Sequence, residues 1–383
     1  MGSISLGTAP EVRRIGFKKS IPVDEAIEKF LGREFPHVGY EIIETVNAIN
    51  RVLAEEVKAK VNVPNFNRSA VDGYALRAEE TFGAGSENPV AFKLVGKIEA
   101  GQIFTRSIGQ KECVEIATGG VLPLGADSVV MLEFVDRRND EINVLKSTYP
   151  LQNVARVGED VKKGEVVLSA GRVIRAQDIG LLASIGVKNI RVLRKPKVAV
   201  IPTGSELVEP FSDEDLRPGQ IVNTNRLVIC NLVKEYGGQP LDYGLVSDDL
   251  DAIRASLKRA LVEADIVVVT GGASVGSKDL VPAAINSLGK PGMLIHGVAM
   301  RPGQPVGLAV VRGKPVLSLP GFPVATILAF DIFGRPLIRK MGGFPNEMRL
   351  TVKARLKRRV ASKLGFRSFA RVRITKSDEG YVA

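Results

Sequence analysis

Lys197-Val198-Ala199-Val200-Ile201-Pro202-Thr203-Gly204-Ser205-Glu206 is the stretch on which the reading of the fold turns. Its unbroken apolar run, rich in β-branched residues, describes a strand covered on both faces, as in parallel sheets. A loop of glycine, hydroxyl and carboxylate residues follows at once. The pattern returns at Asp265-Ile266-Val267-Val268-Val269-Thr270, which runs into Gly271-Gly272-Ala273-Ser274-Val275-Gly276. Between the two lie a helix at Asn225 to Tyr236, stopped by Gly237-Gly238, and a strand at Leu241 to Val246. A helix at Asp249 to Glu263 comes next, with Leu250, Ile253, Leu257 and Leu261 on one face. Beyond them the pattern predicts a helix at Asp279 to Leu288, strands near 293–299, 306–311 and 315–319, and a long apolar helix at 323–333. Strands alternating with helices at this spacing predict a doubly wound α/β domain over 191–343, with a parallel sheet and helices on both faces.

The flanking sequence reads differently. Ile21-Pro22-Val23-Asp24 opens a helical segment with Ala26, Ile27 and Phe30 on one face, and Ile42, Val46, Ile49 and Leu53 predict a second helix from Glu41 to Glu55. A further helix is expected near Ala176 to Ser184, ended by Gly186. Residues 21–60 and 153–190 are therefore expected to form one discontinuous helical unit. Residues 61–152 switch to short alternating runs, with strands at Val90 to Val95, Glu112 to Ala117 and Ser128 to Phe134, and read as a β-rich insertion. Residues 349–375, within a C-terminal unit over 344–383, return to alternating strand character.

Composition removes several function classes. With 383 residues and 45% hydrophobic content the chain can bury several cores. No apolar run approaches a bilayer span, and the first nineteen residues lack a signal-peptide core, so a soluble cytoplasmic protein is expected. Cys113 and Cys230 make no CxxC, and His37 and His296 are the only histidines, which disfavours disulfides, zinc and a Ser-His-Asp triad. A metal, if used, would be held by oxygen, hence Mg²⁺. The net charge of +11 arises from Arg349 to Lys376, which holds eleven Lys/Arg and no acid. That patch could be a solvated face or a lid over an anionic ligand. No nucleic-acid-binding signature accompanies it, so neither nucleic acid nor membrane is expected as a partner.

The candidate chemistry lies at strand ends, where open α/β sheets bind ligands. Thr203, Gly204 and Ser205 form one glycine-hydroxyl loop, and Gly271, Gly272, Ser274 and Gly276 another. Such loops let backbone N–H groups approach a phosphate. Neither is a Walker A loop or GxGxxG. Glu206, Asp248, Asp249 and Asp279 place carboxylates beside them. Asp249 and Asp279 could equally cap the helices they precede.

In order along the chain, these pieces resemble the MoeA/gephyrin E-domain family, the molybdopterin molybdenumtransferases. The resemblance rests on Pro64 to Ala75 (Pro-Asn-Phe-Asn-Arg-Ser-Ala-Val-Asp-Gly-Tyr-Ala), Thr118 to Val130 followed by Glu133, and Gly158-Glu159-Asp160 with Gly164. It continues through Thr203-Gly204-Ser205-Glu206-Leu207, Thr224-Asn225-Arg226, Asp248-Asp249, Gly271 to Asp279 and Leu319-Pro320-Gly321-Phe322-Pro323. It spans roughly residues 20–375. The family implies an elongated homodimer, a domain like the MogA pterin-binding module and a C-terminal β-barrel. It also implies that adenylylated molybdopterin and molybdate, or tungstate, react with Mg²⁺ assistance and release AMP. A MogA-like adenylyltransferase would act upstream as a partner. Matched by motif, Asp72, Thr118, Asp160, Glu206, Asp248 and Asp279 become the candidate catalytic residues, with Glu206, Asp248 and Asp279 at the metal. Thr203 to Ser205 and Gly271 to Gly276 would hold phosphates through backbone N–H groups. Arg301 would meet an oxyanion, and Arg367 would face the substrate. The family also implies a site shared between the α/β domain of one subunit and the N-terminal half of the other.

The chain departs from the pattern in places. Val71 replaces a methionine. Arg301 and Gln304 replace lysines of a Lys-Pro-Gly-Lys-Pro element, and Phe322 replaces an asparagine. The stretch of about 349–383 is too short to close a barrel, so a partial one is expected over 344–383. Competing readings are a molybdopterin adenylyltransferase or CinA-like nucleotide hydrolase built on the same module, and a non-enzymatic scaffold like gephyrin. The Asp72-Gly73-Tyr74-Ala75 block argues against the first two, and the retained carboxylates against the third.

Overall fold

The computed structural model describes residues 20–99, 101–211, 215–271, 280–346, 350–378 and 380–383. Its centre is a six-stranded sheet in the order Gln239–Asp242, Lys197–Pro202, Ile266–Thr270, Lys314–Leu319, Gly307–Val311, Pro291–His296. The first four strands are parallel. The last two run antiparallel to their neighbours, which corrects the all-parallel expectation. The reason is local. Only Arg312 and Gly313, both at positive φ, connect Gly307–Val311 to Lys314–Leu319. Two such residues make a primed hairpin turn, whereas a parallel crossover needs a dozen or more.

Alternation divides the core. Val198, Val200, Ile266 and Val268 face one side, with helices Thr224–Glu235 and Arg335–Met341. Ala199, Ile201, Val267 and Val269 face the other, with Leu250–Glu263 and Leu280–Ser287. Two helices differ from their sequence expectation. Leu280–Ser287 is the described part of the one predicted from Asp279. The long helix at 323–333 is Pro323–Ala329, widened to a π turn over Phe330–Gly334 and resumed at Arg335–Met341. Pro336 lacks the N–H for a regular ladder and crowds the carbonyl four residues back, which accounts for the widening.

The helical unit expected from 21–60 and 153–190 needs correction. Val23–Leu31 is a helix, but Val23, Ala26 and Phe30 are buried in the α/β core, not against 153–190. The helix predicted from Glu41 to Glu55 does not form. Tyr40–Glu44 is a strand paired antiparallel with Asn189–Leu193. The helical stripe was coincidental: Ile42 is 65% exposed and Val46 71%, while Ala48, Val52 and Leu53 are buried. Ala176–Ser184 is helical, and its Leu182 joins Leu53, Leu168 and Val192 in a separate small core. The inserted unit is a six-stranded sheet in the order Ser128–Met131, Gly73–Leu76, Glu112–Ile116, Val90–Ile98, Glu141–Val144, Val135–Arg138.

Beyond residue 350 the strands are two or three residues long. Ala354–Arg355, Gly380–Val382 and Thr375–Ser377 make a small sheet, while Arg367–Ser368 pairs with Met300–Arg301 of the α/β unit. Among the described residues no helix is long and apolar enough to cross a membrane. Burial pushes the Cys113 thiol up to about 12 and the Cys230 thiol up to about 11. Neither should alkylate with iodoacetamide near neutral pH while the protein is native. Rapid labelling of either, read by mass spectrometry, would contradict the packing.

Candidate functional site

The carboxyl ends of three adjacent parallel strands end in Thr203, Gly271 and Pro320, and together they open a pocket of about 410 Å³. Chain order reverses direction between Lys197–Pro202 and Ile266–Thr270, so the pocket lies at the topological switch point of the sheet. Its lining includes Thr203, Glu206, Leu207, Ile221, Asn225 and Thr270, together with Pro305, Pro320, Phe322 and Pro323.

The two loop ends are welded together. The Thr203 N–H donates to the Thr270 carbonyl at 2.8 Å, and the Gly271 N–H donates to the Leu319 carbonyl at 3.2 Å. Gly271 has φ of 95°, and a Cβ there would fall 2.0 Å from the Thr203 carbonyl oxygen. Only glycine fits that contact. A Cβ added to Gly321 would meet only the Gly271 Cα, at 4.0 Å. The two glycine backbones therefore make a flat floor without side chains.

The carboxylates divide their tasks. Asp249 Oδ2 accepts from the Ala252 N–H at 2.9 Å and caps Leu250–Glu263, as the capping alternative predicted. Asp248, next to it, accepts instead from the Ser205 N–H at 3.1 Å and so stands against the Thr203–Glu206 loop. This corrects one assignment. The Thr203 and Ser205 N–H groups already have protein acceptors, so they do not cradle a phosphate. An N–H directed into the protein satisfies the backbone first. Thr203 is buried, whereas Glu206 is exposed on the pocket wall. Gly272, Ser274, Gly276 and Asp279 lie outside the described residues.

Arg301 and Arg367 stand elsewhere. Arg301 lies over the Phe366 ring at 5.6 Å, and the Arg367 guanidinium grips both Asp24 carboxylate oxygens, at 2.9 and 2.5 Å. Arg367 therefore fastens the C-terminal segment to the first turn of Val23–Leu31. Its hydrogen bonds hold the Asp24 carboxyl below the usual range. Gln304 donates to the Ser20 hydroxyl at 3.0 Å and contributes no charge to the pocket, although Pro305 beside it does line the wall.

A second polar group gathers in the N-terminal half. Asp72 Oδ1 accepts from the Thr118 N–H at 2.7 Å and from its hydroxyl at 2.9 Å. Those bonds, the backbone one foremost, hold the Asp72 carboxyl below its ordinary range, so it is an anion at neutral pH. Ser69 ties the loop in place by accepting from the Gly119 N–H and donating to the Gly120 carbonyl. Asn67 accepts from the Val157 N–H, and Pro64 from the Gly158 N–H, which brings Asp160 alongside, 4.0 Å from Arg68. Three segments far apart in sequence thus form one exposed surface around Asp72, Thr118 and Asp160. Among the described residues no hydrogen bond or ion pair links this surface to the α/β pocket, and no cluster of three His, Cys, Asp or Glu side chains could by itself hold a metal.

Sequence reasoning passed over Asn225, which it met only as the middle of Thr224-Asn225-Arg226. Its Nδ2 donates to the Gly321 carbonyl at 2.6 Å and links the helix start to the glycine floor. A polar residue inside the first turn of a helix following a strand was the available signal. Leu207, Ile221 and Pro320 carried none, because they line the wall only after folding.

Known proteins share this sequence and fold. A profile of the MoeA N-terminal region (domain I and II) matches residues 21–186, and one of a probable molybdopterin binding domain matches residues 199–340. A putative molybdopterin biosynthesis protein of Methanocaldococcus jannaschii is 38% identical over 338 residues, covering 87% of this chain and 80% of the relative. A molybdopterin molybdenumtransferase of Staphylococcus epidermidis is 36% identical, covering 84% and 76%. The crystal structure of a molybdopterin biosynthesis MoeA protein from Pyrococcus horikoshii OT3 superposes with a TM-score of 0.78 at 36% identity, covering 95% of this chain and 89% of that one.

Proposed function

As this chain belongs to the MoeA family, the molybdopterin molybdenumtransferases of molybdenum cofactor biosynthesis, it is a transferase, and we propose that it inserts molybdate or tungstate into adenylylated molybdopterin with release of AMP. The single observation that carries the finer reading is the pocket at the switch point, where Glu206 lines a wall above a glycine floor and Asp248 is bonded to the Ser205 N–H of the same loop. An anhydride entering there meets carboxylates that need a cation between them and its phosphates. Glu206 and Asp248, with Asp279, would hold Mg²⁺, whose chemistry is to neutralise charge building on the leaving phosphate. The oxygen-only donor set suits that ion. The substrate would come from an upstream molybdopterin adenylyltransferase.

The chain works as a homodimer in this reading. Among the described residues Asp72, Thr118 and Asp160 form a surface with no hydrogen bond to the pocket, and exposed Tyr40, Ile42, Val46 and Ile49 offer an apolar face for a second copy. Asp72, already ionised, would position or repel charge rather than carry a proton at neutral pH.

The test is insertion into adenylylated molybdopterin, with molybdate and tungstate in competition, with and without Mg²⁺. Glu206→Ala and Asp72→Ala should each lower turnover about a hundredfold, the size typical of a lost electrostatic contact at a reacting centre. Mixing the two inactive variants should restore part of the activity if each site draws on both subunits. Full activity of Glu206→Ala would end the pocket assignment. A mixture as inactive as its parts would end the shared site.

A further inference from the structure

We propose that Phe322 is a stacking platform, and that the pocket beside it takes a flat fused heteroaromatic ring by one face and one N–H-bearing edge. The proposal rests on the reading of the pocket as a substrate site and names which part of a substrate it selects. Phe322 is 82% exposed although it lines the pocket. Its backbone, by contrast, is fixed. The Phe322 carbonyl accepts from the Thr326 N–H at 2.9 Å and from the Thr326 hydroxyl at 3.0 Å, that hydroxyl also meets the Pro320 carbonyl, and the Gly321 carbonyl is held by Asn225. An aromatic ring on a rigid mount with its face open to a pocket loses little conformational freedom when something stacks on it.

The rest of the wall agrees with a ring. Leu207, Ile221, Pro305, Pro320 and Pro323 are apolar, and the floor of Gly271 and Gly321 is flat and free of side chains. A bare phosphate gains nothing from such apolar surface, whereas a planar ring buries a face against it. The edge is defined by one acceptor. Asn225, which lines the pocket, gives its Nδ2 to Gly321, which leaves its buried Oδ1 with no partner. A buried acceptor left unmade is costly, so it selects a ligand edge that brings an N–H. Fused rings with an amino group and a ring N–H, such as a pterin, or with an exocyclic amino group, such as adenine, share this chemistry.

The chain contains no tryptophan, so Phe322→Trp places a single reporter on the rim. The full-length variant is titrated with pterin-6-carboxylate, with AMP and with inorganic phosphate, following its emission. Saturable quenching by the pterin or by AMP, and none by phosphate, is expected, and the quenching probe identifies the ring. The affinity of the unchanged chain for that probe, measured by calorimetry, should fall about tenfold in Phe322→Ala and return in Phe322→Tyr, in keeping with the usual worth of an aromatic–base stack. The proposal is overturned if neither probe quenches the tryptophan, or if Phe322→Ala binds both as tightly as the unchanged chain. These readouts need no turnover. Quenching in a chain that fails to insert metal would leave Phe322 in place and remove the insertion reading. Insertion without quenching would do the reverse.

Discussion

Gly271→Ala should abolish turnover and weaken binding of any pocket ligand at least a hundredfold. At φ of 95° an alanine carries a backbone penalty of about 1–2 kcal/mol. The larger effect is steric. The new methyl would sit 2.0 Å from the Thr203 carbonyl oxygen, which is backbone and cannot rotate away. Relief requires the ends of Lys197–Pro202 and Ile266–Thr270 to separate, which breaks the bond from the Thr203 N–H to the Thr270 carbonyl and displaces the wall that carries Glu206. Gly321→Ala also adds a methyl to the floor but without a backbone clash, since its Cβ would meet only the Gly271 Cα at 4.0 Å, so it should keep the strand ends together and weaken ligand binding less. Calorimetry and circular dichroism on both variants separate loss of the pocket from loss of the fold. Wild-type turnover in Gly271→Ala would show that the loop contact is not what shapes the site.

The second large effect lies outside the pocket. Asp178 is 3% exposed, and its carboxylate receives hydrogen bonds from the Arg172 and Arg175 guanidiniums and from the Arg175 N–H at 2.9 Å. Burial pushes the carboxyl up more than any single contact lowers it. The hydrogen bonds from Arg172 and Arg175 together outweigh burial and hold it well below the usual carboxylate range. Asp178→Asn keeps the shape and removes the charge, leaving two guanidiniums facing each other. Breaking a buried pair costs about 3–5 kcal/mol, and the partly solvated arginines place this case nearer about 2 kcal/mol. The pH dependence follows from the depressed value. A carboxyl with a lowered folded pKa contributes its full stability above its unfolded pKa, near 4, and loses it as pH falls through the folded value. The Tm gap between Asp178→Asn and the unchanged chain should be widest near neutral pH and should close progressively below pH ~4. Equal Tm values at pH 7 would show that the arginine clamp contributes nothing.

Legibility in the sequence followed the number of constraints acting on each residue. Val198 to Ile201 and Ile266 to Val269 could be read because a strand buried on both faces admits no polar residue, so its signal is continuous. Ile42, Val46 and Ile49 misled because three apolar residues at helical spacing also fit a strand and turn with those side chains outward. Asp248 and Asp249 show the same limit at the site. Two adjacent carboxylates are equivalent on paper, and only backbone direction gives one to the Ala252 N–H as a cap and the other to the Ser205 N–H.

By itself, the sequence determined the α/β architecture, the glycine loops at its strand ends and the ordered motifs that place the chain in its family. These depend on contacts between near neighbours and on conformations, such as that of Gly271, that one residue type alone can adopt. Tertiary structure alone decided that Thr203 and Ser205 spend their N–H groups inside the protein, that Arg367 holds Asp24, and that Asp72 meets Thr118 across 46 positions. Each of these is a choice among several acceptors of equal chemistry. A hydrogen-bond donor takes the acceptor that the packed backbone brings within about 3 Å, and that distance is not written in the order of residues.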